Sequence, residues 1–295
     1  MLKISLIIPV FNRPGEVEEL LQSLTLQSDK DFEVIIVEDG STESSLKVVE
    51  AYKGRLDIKY FYNANTGPGP SRNFGSREAS GDYMIVLDSD CVIPPDYCRI
   101  VKERLHREYA DAFGGPDQAH PDFTAFQKAI NFSMTSFLTT GGIRGGTEKM
   151  GKFHPRSFNM GYSRKVYEST GGFSEMRFGE DVDLSLRILE AGFSTTLIKE
   201  AFVYHKRRSN LRQFYKQVYN SGIARINLHK RHPGSMKPVH FAPALFTLGS
   251  FILILLGFLV SPWFYAPLAL HMVLLLLSAT IQNRSLTIGF LAILT

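Results

Sequence analysis

Residues 241–260 contain no charged side chain and residues 263–281 contain none either, so the chain carries two apolar runs of 20 and 19 residues. Inside a hydrocarbon layer about 30 Å thick, a backbone satisfies its own polar groups only as a helix or a closed barrel, and each run is about one spanning helix long. Two membrane helices are expected, joined near Ser261-Pro262, with Trp263, Phe264 and Tyr265 as interfacial aromatics. The competing reading is a buried helical hairpin in a soluble domain, although such helices are normally shorter and apolar on one side only. Residues 286–295 begin a third apolar segment, too short to span, which is expected to be re-entrant or cut short.

Charge divides the chain the same way. Residues 1–200 hold 23 Lys and Arg against all 29 Asp and Glu, a formal −6, whereas residues 201–240 hold nine Lys and Arg and no acid. Basic residues beside a first span are retained on the cytoplasmic side, so residues 1–240 are expected in the cytoplasm, at a bacterial-type inner membrane. Attraction to anionic lipid is reason enough for the basic block. It adjoins the membrane runs, and no basic platform studded with aromatics occurs elsewhere, so nucleic acid is not an expected partner. Cys91 and Cys98 are the only cysteines, too close together and too far from other candidates for a disulfide framework or a zinc site, so a reducing compartment is expected. The apolar start ends in Asn12-Arg13-Pro14 without a small-residue cleavage site, which favours a buried strand over a leader.

The first 200 residues alternate strand and helix. Residues 4–11 are a continuous apolar run, as in a strand covered on both faces, and Pro14 opens a helix with Val17, Leu20, Leu21 and Leu24 on one side. Strands at 32–37, 58–62 and 83–87, with a helix at 71–79, predict an α/β domain built on a mostly parallel sheet. Ligands bind such sheets at the carboxyl ends of the strands. Asn12, Asp39 and the pair Asp88 and Asp90 fall at those ends. Two aspartates separated by one residue repel unless a cation lies between them, and their hard oxygens suit Mg²⁺ or Mn²⁺ completed by diphosphate oxygens. Taken alone, Asp-x-Asp also suits a solvated turn.

At these residues the sequence resembles the family 2 glycosyltransferases, whose nucleotide-sugar-binding domain is the Rossmann-like fold called GT-A. The resemblance covers nearly all of residues 3–205. It rests on Ile7-Ile8-Pro9-Val10-Phe11-Asn12, Val37-Glu38-Asp39-Gly40-Ser41, Gly69-Pro70-Ser71-Arg72-Asn73-Phe74-Gly75 and Asp88-Ser89-Asp90. Asn159-Met160-Gly161, Gly171-Gly172-Phe173 and Gly179-Glu180-Asp181 follow in order. It implies a GT-A domain over 1–205, a basic juxtamembrane segment over 206–240 and a membrane region over 241–295.

The resemblance also implies roles. Asp88 and Asp90 would hold the metal, with His205 completing the site. Pro9, Phe11, Asn12, Asp39, Arg72 and Ser89 would line the donor, a UDP- or GDP-sugar, with Asp39 at the base and Arg72 near the diphosphate. Asp181 would be the catalytic base, with Glu180, Arg156 and Asn159 toward the acceptor, a lipid-linked or envelope glycan. Each has a plainer reading: Asp39 as a turn residue, Arg72 as a solvated helix residue, His205 as a surface histidine and Asn159 as core support. Glu180, Asp181 and Asp183 also suit a helix start, where the macrodipole favours acids. Attack opposite the leaving diphosphate would invert the anomeric carbon. Gln213-Phe214-Tyr215-Lys216-Gln217 does not match the Gln-x-x-Arg-Trp motif of processive members, so a single transfer is expected. A polyprenyl-phosphate sugar synthase of the same fold, or a silent nucleotide-sugar-binding scaffold, are the other readings. Residues 120–157, with an amphipathic stretch at 123–138 and a glycine-rich one at 139–147, are expected on the acceptor side, the latter as a mobile loop.

Overall fold

The structure is a computed structural model that describes residues 2–120, 122–140 and 153–295. Among these, 2–120 with 153–206 form one compact unit, and 122–140 with 207–295 form a second. Most of the glycine-rich stretch at 139–147 lies outside the described residues.

The first unit is a three-layer α/β/α body. Its strands are β1 (Ile4–Val10), β2 (Phe32–Asp39), β3 (Asp57–Asn63), β4 (Tyr83–Leu87), β5 (Cys91–Val92), β6 (Ala112–Gly114), β7 (Asp117–Gln118), β8 (Asn159–Ser163), β9 (Thr195–Leu197) and β10 (Val203–His205). The main sheet runs β3-β2-β1-β4-β8-β6-β9, parallel through its first four strands, with β8 antiparallel to both neighbours. A small second sheet, β5-β10-β7, flanks it. The helices of this unit are α1 (Pro14–Thr25), α2 (Leu46–Tyr52), α3 (Pro68–Glu78) and α4 (Tyr97–Arg107). Beyond the second unit's α5 (Ala125–Thr135) and α6 (Phe137–Thr140) come α7 (Arg164–Thr170) and α8 (Glu180–Glu190), which belong to the first.

Period-two geometry explains the layers. Ile4, Leu6, Ile8 and Val10 point to one side of β1 and pack with Val17, Leu20, Leu21 and Leu24 of α1 and with Tyr97 and Val101 of α4. Ile7 points the other way, into a core with Met84, Val86, Tyr162, Val166 and Ile188. Each fully buried aliphatic side chain contributes roughly 1.5–3 kcal/mol, so both faces need apolar residues, and β1 is apolar apart from Ser5. On that second face α3 approaches closely because Gly75 has no side chain. A Cβ there would sit 2.6 Å from Ile7 Cγ2 and 3.3 Å from Val37 Cγ2.

Glu33 is one of several acids buried in this body. It accepts hydrogen bonds from Ser5 Oγ, from Ser80 N at 2.6 Å and from Ser80 Oγ at 2.7 Å, and it pairs with Lys59 at 2.8 Å. Burial pushes its pKa up, but these partners outweigh burial and hold it at about 2.

The second unit is helical: α5 and α6, then α9 (Leu211–Arg231), α10 (Ala242–Leu259), α11 (Ala266–Asn283) and α12 (Leu286–Leu294). Two helical stretches, Pro238–Leu259 and Pro262–Asn283, are long and apolar enough to cross a membrane, with mean hydropathy 2.2 and 1.9. Only 6% and 11% of their most apolar windows are buried, which is the opposite of a soluble hairpin's core. Gly289 lets α12 fold back closely on α11, since a Cβ there would lie 2.1 Å from Thr280 Oγ1. The amphipathic stretch expected on the acceptor side forms α5, which buries Ala129 and Phe132 against Leu275, Ala279, Ile288 and Ala292 of α11 and α12.

Candidate active site

The parallel strands deliver a cluster of charges to one end of the main sheet. Leu87 ends β4, so Asp88 leaves the sheet directly, and Asp90 follows within a tight turn closed by Cys91 N donating to Asp88 O. Antiparallel pairing of β5 with β10 sets His205 opposite Cys91, which brings the imidazole beside Asp90. His205 Nε2 lies 3.1 Å from Asp90 Oδ1 and 3.8 Å from Asp88 Oδ2, and the Phe158 ring stacks on its face at 5.3 Å. Burial works against a charge on His205, but Asp90 and then Asp88 outweigh it and raise its pKa.

Asp90 is almost fully enclosed, and burial opposes its charge. His205 and Arg13 outweigh that and leave its pKa well below the usual carboxylate range. Arg13 caps Asp90 Oδ2 directly. Although His205 is near, its N–H is not aimed at Asp90 Oδ1, and this oxygen and His205 Nδ1 are buried polar atoms without a hydrogen bond. Buried acceptors are nearly always satisfied, so an orphaned carboxylate oxygen beside an imidazole and a second carboxylate is what a cation site looks like. Cys91 Sγ is also close enough to join Asp90 and His205 around an ion. Burial pushes its thiol well above its ordinary pKa, however, so it stays protonated and is the poorer ligand than Asp88.

Arg72 links this cluster to the second one. Its side chain is 5% exposed. Nη2 donates to Asp88 Oδ1 at 2.9 Å, Nη1 donates to Glu180 Oε1 at 2.7 Å, and the Phe173 ring lies 5.2 Å from its central carbon. Asn73, next on α3, grips the backbone of Phe173 from both sides, its Nδ2 donating to the carbonyl at 2.7 Å and its Oδ1 accepting from the N–H at 2.8 Å. Arg187 of α8 holds the same loop by donating to Thr170 O and Gly172 O, each at 2.6 Å.

Glu180 and Asp181 open α8 after Gly179, whose φ of 84° suits glycine's freedom in the left-handed region. The neighbours are driven apart electrostatically. Burial raises the pKa of Glu180 despite Arg72. Asp181 is buried too, but Arg156 Nε at 2.7 Å, with Val182 N at 2.8 Å, outweighs burial and lowers it. Asp181 is therefore an ionised carboxylate at neutral pH, held against a half-exposed arginine.

The other predicted residues divide. Asp39 ends β2 and spends its carboxylate on the loop before α3, accepting from Thr66 N and Gly67 N, both at 2.8 Å. Asn12, at φ 53°, ties the loop after β2 by accepting from Thr42 N at 2.7 Å and Glu43 N at 3.0 Å. Pro9 lies within β1, Phe11 is exposed just beyond it, and Ser89 is buried between the two aspartates. Asn159 has a fully enclosed side chain, accepting from Tyr97 Oη and donating to Ala201 O at 2.8 Å, which are the contacts of the core-support reading. Arg72, for which the resemblance implied a place near the diphosphate, is buried between two carboxylates. Arg13 was missed; its signal was a basic residue on the β1 loop beside an acid pair that needs countercharge.

A mostly parallel sheet with an acid cluster at its strand ends and a neighbouring acidic helix start is the arrangement of a GT-A glycosyltransferase. Residues 5–171 match glycosyl transferase family 2, and the chain belongs to that family. It is 36% identical over 136 residues, 44% of this chain, to the Staphylococcus aureus poly(ribitol-phosphate) beta-N-acetylglucosaminyltransferase TarS, covering 22% of that protein. A crystal structure of TarS residues 1–349 with UDP-GlcNAc superposes with a TM-score of 0.59 at 18% identity, covering 81% of this chain and 69% of that one. The Campylobacter jejuni GalNAc(5)-diNAcBac-PP-undecaprenol beta-1,3-glucosyltransferase is 34% identical over 39% of this chain and 38% of its own length. The Pyrobaculum calidifontis mannosyltransferase PcManGT, solved with GDP-Man and Mn²⁺, superposes with a TM-score of 0.61 at 18% identity, over 98% of this chain and 77% of that one. The match spans only 13–22% of the length of the first curated relatives.

Proposed function

We propose that the protein transfers one sugar, with inversion, from a nucleoside-diphosphate sugar to a hydroxyl of a lipid-linked or envelope glycan at the cytoplasmic face of a membrane. The observation that carries this reading is the continuous cluster running from His205 through Asp90, Asp88 and Arg72 to Glu180 and Asp181. Asp88, Asp90 and His205 would hold a divalent cation, and their oxygen-rich donor set with one imidazole suits Mn²⁺ or Mg²⁺. Bound there, the ion would neutralise charge on the departing diphosphate.

Asp181 is the group for the acceptor proton. Arg156 keeps it ionised, and an acceptor hydroxyl would exchange with Arg156 for its free lone pair. Arg72 acts at one remove, fixing Asp88 and Glu180 relative to each other. Phe11 and the loops tied by Asn12 and Asp39 would frame the nucleoside. A lipid-linked acceptor is supported by the name of the Campylobacter relative and by the two apolar helices of this chain.

The test is Asp181→Asn in lipid nanodiscs, assayed with radiolabelled UDP- and GDP-sugars. Donor binding should persist while transfer falls about 10²–10⁴-fold, the usual contribution of a general base. Normal turnover in that variant removes Asp181 from the chemistry, and transfer surviving only with polyprenyl phosphate as acceptor supports the synthase reading instead.

A further inference from the structure

Helix α9 is apolar on two sides. One side is internal to the second unit: Phe214, Ala224 and Leu228 are buried, with Phe214 packed against Ile130 and Met134 of α5. The other carries Leu211, Tyr215, Val218, Tyr219, Ile223 and Ile226, which are 39–69% exposed. At 100° per residue these six occupy an arc of about 140° that faces away from the buried side. Exposed Lys216 borders this arc, Arg212 and Lys230 fall inside it at the two ends of the helix, and no acid occurs from residue 201 to 240.

A continuous apolar stripe on an otherwise basic helix needs a partner that takes apolar side chains and positive charge together. A second copy of the chain would bring two acid-free basic faces together, which is repulsive. An anionic bilayer supplies both an apolar interior and negative headgroups. Two of the six side chains are tyrosines, whose amphipathic rings favour the water–lipid boundary. Continuity with the spans points the same way: six residues separate Arg231 from the span beginning at Pro238, a tether of roughly 20 Å. We infer that α9 lies in the headgroup layer of an anionic membrane, its tyrosine-bearing stripe inserted and Lys216 and Asn227 toward water. This inference rests on the membrane reading of α10 and α11 and is independent of the catalytic assignments.

Tryptophan fluorescence tests it, because Trp263 is the only native tryptophan. Three full-length proteins go into nanodiscs containing phosphatidylglycerol brominated near the glycerol end of its acyl chains: the native protein, Trp263→Phe with Tyr219→Trp, and Trp263→Phe with Asn227→Trp. The expected result is that the tryptophan at 219 emits to the blue and loses most of its intensity to the brominated lipid, whereas the one at 227 is quenched by aqueous iodide instead. If position 219 is quenched no more than 227 while Trp263 is quenched, the helix is off the membrane and the inference fails. Shielding of position 219 from iodide without quenching by lipid means that protein covers the stripe, which also overturns it. Absence of lipid quenching at Trp263 removes the membrane reading itself.

Discussion

Replacing Arg72 with Met keeps its bulk against Phe173 and removes the only described cation that joins Asp88 to Glu180. Taking one partner from a buried ion pair costs about 3–5 kcal/mol, because the other charge stays enclosed. Water relieves part of this at Asp88, whose side chain is 27% exposed, whereas the Glu180 side chain is 10% exposed. Counting only the Glu180 arm gives about 3 kcal/mol, or a fall of roughly 6–12 °C in Tm for a domain of this size. Cys91 and Cys98 are both buried in the same unit, so a dye that fluoresces on reacting with thiols reports its unfolding even in detergent. The decisive comparison is Arg72→Met with Glu180→Gln. The double variant leaves no orphaned charge at Glu180 and should recover at least half of the loss. A double variant that melts no higher than the single one refutes the account of Arg72 as a bridge between charges.

Three further predictions concern packing, pH and the cation site. Gly75→Ala forces a Cβ against Ile7 and Val37 and should cost about 1–3 kcal/mol, whereas Gly15→Ala on α1, where nothing lies within 4 Å, should be neutral or slightly stabilising; equal melting temperatures would contradict the close approach of α3. Because the pKa of Glu33 is lowered on folding, its stabilisation is complete above its ordinary value of 4.5 and disappears as pH falls from there toward about 2. Its exposed partner Lys59 is screened by water, so about 2 kcal/mol is expected at neutral pH, and Glu33→Gln should flatten the acid limb of the stability curve. Mn²⁺ should raise the unfolding midpoint of the native protein in a concentration-dependent way and leave Asp90→Ala unchanged; an equal shift in both would place the ion elsewhere.

The parallel half of the sheet was legible because β1, β2 and β4 are buried along their length and are mainly apolar, while the edge strand β3 keeps an apolar and aromatic core at Ile58, Tyr60, Phe61 and Tyr62. Strands β1 to β4 fall within two residues of their expected ends, and β4 coincides with the predicted 83–87. The other half was not. Strands β5, β6, β7, β9 and β10 have two or three residues each, too short for any periodicity, and nothing local announces that β8 runs antiparallel between β4 and β6. The same limit applies to the site. Asp88 and Asp90 stood out through their position at a strand end and Asp181 through the family resemblance, but partnership depends on pairing across the fold. That is why Arg13 went unnoticed, and why Asn159, polar and adjacent to a motif, gave no sign that Tyr97 and Ala201 enclose it. Residues 122–140 group with the C-terminal helices because α5 finds its apolar partners on α11 and α12, contacts no linear pattern can reveal.

The loop at residues 170–173 is gripped from two directions, by Asn73 of α3 and Arg187 of α8. One of those helices bears Arg72 and the other begins with Glu180 and Asp181, so the grip works as a gauge block that fixes the spacing of these charged groups. Stretches outside that grip can then vary in sequence without the spacing having to be tuned afresh.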